Sequence, residues 1–359
     1  MPAPVPYSPG VETIEPDEAE TQEGINAVLR AILDVTSKDY GHAVRSVHAK
    51  GHGIAEGVLE IVDGLSPELA QGLFARGGRY DAILRISTNP GDILDDSISV
   101  PRGAALKVIG VDSGSGSQDF VLVDEPAFFA PNPKMFLQNL KLLARTTDKA
   151  EGFKRGLSAV LRAAEGALEL VGLQSSALQS LGGAANSHPL GRTYFSQTAF
   201  RYGDHIAKFQ LAPVSPNLVE LAGATVHTHD RPDALREDVR EVLAEQETVW
   251  ELRVQLCTDL EAMPIEDASV AWDEKQSPFR TVARLIVEPQ AAWEPGISEK
   301  REDELAFTPW HCLEAHRPLG GVNRARKPAY EMSSGFRGRF NGCPVHEPRA
   351  LAAGRAPQL

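Results

Sequence analysis

Cysteine is scarce in this 359-residue chain, with only Cys257, Cys312 and Cys343, all far apart. An odd number outside any C-x-x-C pattern argues against a disulfide framework or a structural zinc and suits a reducing compartment. No uncharged apolar run reaches the roughly 18 residues of a membrane span. The N-terminal MPAPVPYSPG has neither the basic nor the apolar region of an export signal. These absences predict a cytoplasmic protein with no integral membrane contact. Positive charge is also short. The 36 basic residues face 49 acidic ones, giving a formal charge of −13 with no basic patch, so duplex nucleic acid is excluded as a partner. Internal repeats and low-complexity tracts are absent. What is present is an ordinary globular mixture, 42% hydrophobic and 24% charged, long enough to bury a large core.

Residues 1–20, rich in Pro and Glu and without apolar periodicity, read as an extended arm that orders against a partner surface. The segment 342–359 reads as a flexible tail. Between them, short apolar runs bounded by Gly, Asp or Pro predict strands at 54–62, 81–88, 103–111, 119–124, 205–214, 249–258 and 280–289. Seven or eight such strands suggest a barrel or sandwich. Three- and four-residue apolar spacing predicts helices over 26–39, 135–145 and 233–247. A further stripe runs through Leu157, Val160, Leu161, Ala164, Leu168 and Val171, followed by QSSALQSLGGAANS, which carries no charge. Without a convincing linker, residues 21–341 read as one α+β domain.

Three stretches carry candidate chemistry. VRSVHAKG sets Arg45 three residues before His48. In LRIST, Arg85 and Ser87 share one face of a strand, where a hydroxyl can orient an imidazole and a guanidinium can neutralise an anion. In NRARKPAYEMSSGFRGRFNG, Arg326, Tyr330 and Arg337 fall on one helical face, provided that Pro328 lies in the first turn and Arg326 enters from the preceding loop. A nearby positive charge favours the ionised form of a phenol, and a phenolate is a hard ligand for iron(III).

Together these motifs resemble the haem-binding core of the catalases and of shorter catalase-related proteins, over roughly residues 40–130 and 300–340. The resemblance implies an antiparallel eight-stranded β-barrel with surrounding helices. It also implies a haem b iron bound by Tyr330 and a homo-oligomer that takes a peroxide substrate and an organic reductant. By the same resemblance Arg326 holds Tyr330 as tyrosinate, Ser87 orients the acid–base residue His48, and Arg45, Arg85 and Arg337 pair with the haem propionates. Ala49 and Gly51 would leave room for the porphyrin. Catalase is itself the standard example of a tyrosine-ligated haem, so that ligand type comes with the resemblance.

The chain departs from the family where an asparagine is usual on the distal side. GSQDFVLVDEP offers Gln118 or Asp119 there, and only the amide is a donor without protonation. Phe128 or Phe129 would stack on the haem or pack the core. Two alternatives stand beside the peroxidase reading: an enzyme transforming fatty-acid hydroperoxides, with the uncharged segment 170–187 near a lipid path, and a non-enzymatic haem store or sensor. A metal-hydrolase reading would draw on His227, His229, His311 and His316.

Overall fold

The computed structural model describes residues 2–144 and 186–351. The apolar stripe at 157–171 and most of the uncharged segment after it lie outside the described residues. Nine strands follow in chain order: β1 Gly51–Ile61, β2 Gly78–Thr88, β3 Arg102–Ile109, β4 Ser117–Val123, β5 Tyr194–Phe195, β6 Phe200–Tyr202, β7 His205–Pro213, β8 Thr248–Leu256 and β9 Arg280–Val287. All pairings among them are antiparallel, in the order β5-β4-β3-β2-β1-β9-β8-β7-β6. The ring closes where β5 bridges β4 at Val123–Phe195 and β7 at Tyr194–Leu211. β6 pairs along β7 beyond β5, so the barrel has eight strand positions, the last shared by two short strands.

Side chains alternate across these strands, and the inward set fills the barrel. Leu59, Leu84, Leu106, Phe120, Phe209, Trp250, Leu252 and Leu285 are at most 2% exposed. His316 is also enclosed there, its ring close to those of Phe74, Tyr202 and Phe209. Its Nε2 accepts from the Leu73 N–H at 2.9 Å, and burial pushes its pKa down to about 3. β3 is buried on both faces because Leu305 and Phe307 cover the outer row of Ile54, Ile83, Ala105 and Ile109.

Among the described residues, the α-helices of eight residues or more around the barrel are α1 Glu18–Tyr40, α2 Pro133–Ala144, α3 Ala234–Glu245, α4 Ile297–Glu304 and α5 Gly321–Phe340. α1, α2 and α5 meet through Ile25, Leu29, Phe136, Leu140, Ala325 and Ala329 to form one layer. α5 begins well before Pro328, which therefore lies in the helix interior, and Arg326 belongs to the helix itself. This corrects the expected first-turn placement. The N-terminus of α5 is held from elsewhere: Gly320 N–H donates to Glu12 and Gly321 N–H to Glu266, while Arg324 pairs with Glu12, Glu18 and Glu266. Carboxylates at a helix N-terminus are favoured by the exposed N–H groups and the helix dipole.

Glu12 belongs to the N-terminal arm, which lies on its own chain instead of waiting for a partner surface. Val5 N–H donates to Cys257 O, Tyr7 N–H to Asp204 O, and Pro6 bridges His205. The described part of the tail, up to residue 351, is tied down as well. Glu347 reaches Lys107 on the outer face of β3, 2.7 Å away, and Lys107 is fully buried against its cross-strand partner Asp119 at 2.8 Å. Removing one partner of a buried ion pair costs about 3–5 kcal/mol. Lys107→Ala is thus expected to lower unfolding stability by about that much, whereas Glu347→Ala mainly exposes the tail to protease. Urea denaturation and limited proteolysis separate the two effects, and a Lys107→Ala protein as stable as wild type contradicts the assignment.

Candidate functional site

His48 sits just before β1 with φ 54, a left-handed conformation uncommon outside glycine. Three contacts hold it there. Its N–H donates to Asn89 O at 2.7 Å, its carbonyl accepts from Arg85 Nη2 at 2.9 Å, and its Nδ1 lies 3.1 Å from Ser87 Oγ. The expected pairing of Ser87 with His48 is present. Directly across from Ser87 on β3 is Gly103, where a side-chain carbon would overlap Cε1 and Nδ1 of the His48 ring. Sequence reasoning missed Gly103, because its need for a bare Cα appears only once the β2–β3 register is known.

Burial, with Arg85, Arg326 and Arg45 nearby, pushes the His48 pKa down to about 3, so the imidazole is neutral at pH 7. Tyr330 stands on α5 one turn after Arg326, whose Nη2 donates to the Tyr330 hydroxyl at 3.0 Å. Arg326 also donates from Nη1 to Asn323 Oδ1 at 3.2 Å. Asn323 is fully buried, its amide donating to Ala199 O and Leu319 O. It thereby fixes Arg326 from the same helical face, a role signalled in the sequence only by its i−3 spacing.

His48, Arg326 and Tyr330 line a single cavity of about 320 Å³, within the roughly 300–1,000 Å³ typical of cofactor sites. The three-helix layer supplies an apolar wall, including Ile25, Leu29 and Phe136. Phe128 and Phe129 also line it, and their rings pack on each other at 4.6 Å and against Phe136.

Gln118 and Asp119 do not reach this cavity. On β4 it is Val121 and Val123 that line it. Gln118 is fully buried, with its Oε1 accepting from the Leu313 N–H at 3.0 Å. Asp119 is taken up by Lys107, the Thr308 N–H and His311. The carboxamides lining the cavity among the described residues are Asn89 and Gln197. Gln197 Nε2 is committed to the carbonyls of Glu125 and Ala127, so Asn89 is the other carboxamide at the cavity wall.

The three arginines expected at haem propionates gather around Glu302, Arg85 and Arg45 on its carboxylate and Arg337 on its main-chain carbonyl. Arg85 Nε donates to both oxygens of Glu302, at 2.8 and 2.9 Å, and Arg45 Nη1 pairs with Glu302 Oε2. Arg45 and Arg337 each donate to the carbonyls of Glu302 and Leu305. Burial alone would raise the Glu302 pKa, but Arg45 and Arg85 outweigh it and hold the carboxyl below its usual range. Gly51 abuts Glu302 and Trp293, and Ala49 is not among the cavity-lining residues, so neither makes the room expected of it. His227 and His229 are exposed, His316 is inside the barrel, and no metal-sized cluster of His, Cys, Asp and Glu occurs among the described residues.

Two outcomes follow from this geometry. Gly103→Ala should push the His48 ring off Ser87, which a crystal structure of the variant would reveal; a ring left in place contradicts the packing argument. His48 and His316, both pushed down to about 3, return on unfolding to an ordinary value near 6.5. The unfolded chain then binds the extra protons, so stability is complete above about pH 6.5 and falls as pH drops toward 3. His316→Gln keeps an acceptor for Leu73 and should make that fall shallower in urea midpoints measured between pH 7 and 4.5. An unchanged slope would place the proton uptake elsewhere.

A family model described as Catalase matches residues 43–292, a segment that includes His48 and Ser87 and stops short of α5. No curated protein matches the chain. Among solved structures, a fungal catalase shares 21% identity and a TM-score of 0.60, covering 88% of this chain and 64% of its own. Catalase A from Saccharomyces cerevisiae shares 19% with a TM-score of 0.61, covering 87% and 65%. A bacterial catalase shares 18% with a TM-score of 0.60, covering 92% and 66%. At these identities the likeness is one of fold, and the chain spans less than two thirds of each of these structures. With the family match covering most of its length, the chain belongs to the catalase family.

Proposed function

We propose that this protein is a haem-dependent oxidoreductase acting on peroxide, with haem b bound through Tyr330 and His48 as the acid–base residue. The observation that carries the reading is one cavity lined by both residues, with the Tyr330 hydroxyl held by Arg326 and the His48 ring held by Ser87. The residues also fit the cofactor's anionic edge. Two guanidiniums pair with a single carboxylate, and a third, Arg337, sits on the same residue's carbonyl with its Nε buried and without a hydrogen-bond partner. A cofactor with two carboxylates would balance the remaining charge.

When bound, haem supplies the redox-active iron at which the peroxide oxygen–oxygen bond is cleaved. The chain supplies the proton handling and the seat. Arg326 gives the Tyr330 oxygen a charge-assisted hydrogen bond, which suits a phenolate ligand. With Nδ1–H donating to Ser87 Oγ, Nε2 of the neutral His48 ring is the unprotonated nitrogen and takes a proton from one peroxide oxygen. It returns that proton to the other as the bond breaks. The low pKa of His48 makes the return easy.

A second reading concerns the peroxide. The apolar wall from α1 and α2, with Gln118 turned into the barrel, favours an organic hydroperoxide over hydrogen peroxide as the preferred substrate, with an organic reductant completing the cycle. Among the described residues no helix is long and apolar enough to cross a membrane.

Tyr330→Phe should abolish the tyrosinate-bound ferric spectrum, and a variant with an unchanged spectrum refutes the ligand. His48→Ala should keep the haem and lose peroxide turnover by about a hundredfold or more. Equal turnover in that variant removes His48 from the chemistry, and rapid oxygen release from hydrogen peroxide by the native protein counts against the organic substrate.

A further inference from the structure

Glu302 stands in an unusual place for a residue of an otherwise charged surface helix. Its side chain is only 12% exposed, and its carboxylate lies between Arg45 and Arg85. The seat is shaped for it: any side-chain carbon at Gly51 would overlap Oε1 and crowd Trp293. None of Arg45, Arg85, Arg337 and Glu302 lines the cavity that holds His48 and Tyr330. The cluster lies behind the cavity-lining His48, whose carbonyl Arg85 holds, and it already contains an anion.

Resting on the haem reading above, we propose that Glu302 is an internal competitor for the carboxylates of the cofactor and so sets how tightly the site takes up haem. A carboxylate on an incoming ligand can reach Arg85 Nε and Arg45 Nη1 only if the Glu302 carboxylate leaves them, because it occupies both. The guanidiniums are fixed by their other bonds, Arg85 to His48 O and Arg45 to the Leu305 carbonyl. The mobile partner is thus the glutamate. The movement required is that of the Glu302 side chain alone, since its carbonyl stays bound to Arg45 and Arg337. The unpartnered Arg337 Nε marks the direction in which the cluster still lacks an acceptor.

The test is a titration of haem-free protein with haem and with haem dimethyl ester, which has no free carboxylate, followed by the growth of the bound-haem absorption band. Glu302→Gln keeps the size and removes the charge. It should bind haem about ten- to a hundredfold more tightly than wild type, the factor carried by a displaced charge-assisted hydrogen bond. The dimethyl ester should bind both proteins equally, and Arg85→Ala should bind haem more weakly. A Glu302→Gln protein that binds haem as wild type does, or more weakly, overturns the proposal and makes Glu302 a support for the arginines. Should that variant fail to fold, Glu302→Asp draws the charge back by one methylene and should still tighten haem binding; an equal or weaker affinity overturns the proposal just as firmly. A wild-type protein that takes up neither compound refutes the haem reading itself, and the competition with it.

Discussion

Arg85 is the side chain that makes one site out of separate pieces. Buried in β2, it donates from one nitrogen to the His48 carbonyl and from another to Glu302. Glu302 in turn takes Arg45, and its carbonyl takes Arg337 from the helix that bears Tyr330. The left-handed backbone of His48, the entrance to β1, helix α4 and helix α5 are thereby joined through one guanidinium. A buried charge is costly unless it is paired and fully hydrogen-bonded. Here the pairing and the positioning of the imidazole are the same set of bonds.

The barrel contributes rigidity and register to this arrangement. Its lumen is packed with aliphatic and aromatic side chains around His316. The cavity lies outside that core, with β4 contributing Val121 and Val123 and the helical layer contributing Ile25, Leu29 and Ala329. The β2–β3 pairing places glycine opposite Ser87, so the imidazole can rest against the serine. A neutral histidine and a phenol gripped by arginine then share one space.

Much of this was legible in the sequence, for identifiable reasons. The seven longer strands alternate or run apolar between turn residues, and helices α1, α2 and α3 carry apolar residues at helical spacing, so local pattern sufficed. β5 and β6 are two and three residues long, too short for any periodic signal. The start of α5 was hidden because Glu12 and Glu266, far away in sequence, satisfy its first N–H groups, while Pro328 looked like a natural beginning. The pair Arg326–Tyr330 follows from helical spacing and chemistry, whereas His48–Ser87 came with the resemblance to the catalases. Gln118 and Asp119 were misplaced because strand parity turns Gln118 into the barrel, while the cross-strand Lys107 takes up Asp119 on the other face, and both depend on the barrel register. Glu302 was invisible for a different reason: within ISEKREDE it reads as a solvated charge, and only the tertiary fold turns it toward three arginines.

The central claim is that the Tyr330 oxygen is the protein ligand to iron in a site whose other functional face is His48. Resonance Raman spectroscopy of haem-loaded ferric protein, prepared with ordinary and with ring-deuterated tyrosine, tests it most directly. The account predicts phenolate ring modes that are enhanced with the haem bands and that shift on deuteration. A spectrum without such modes, or with the signature of histidine ligation, would contradict it.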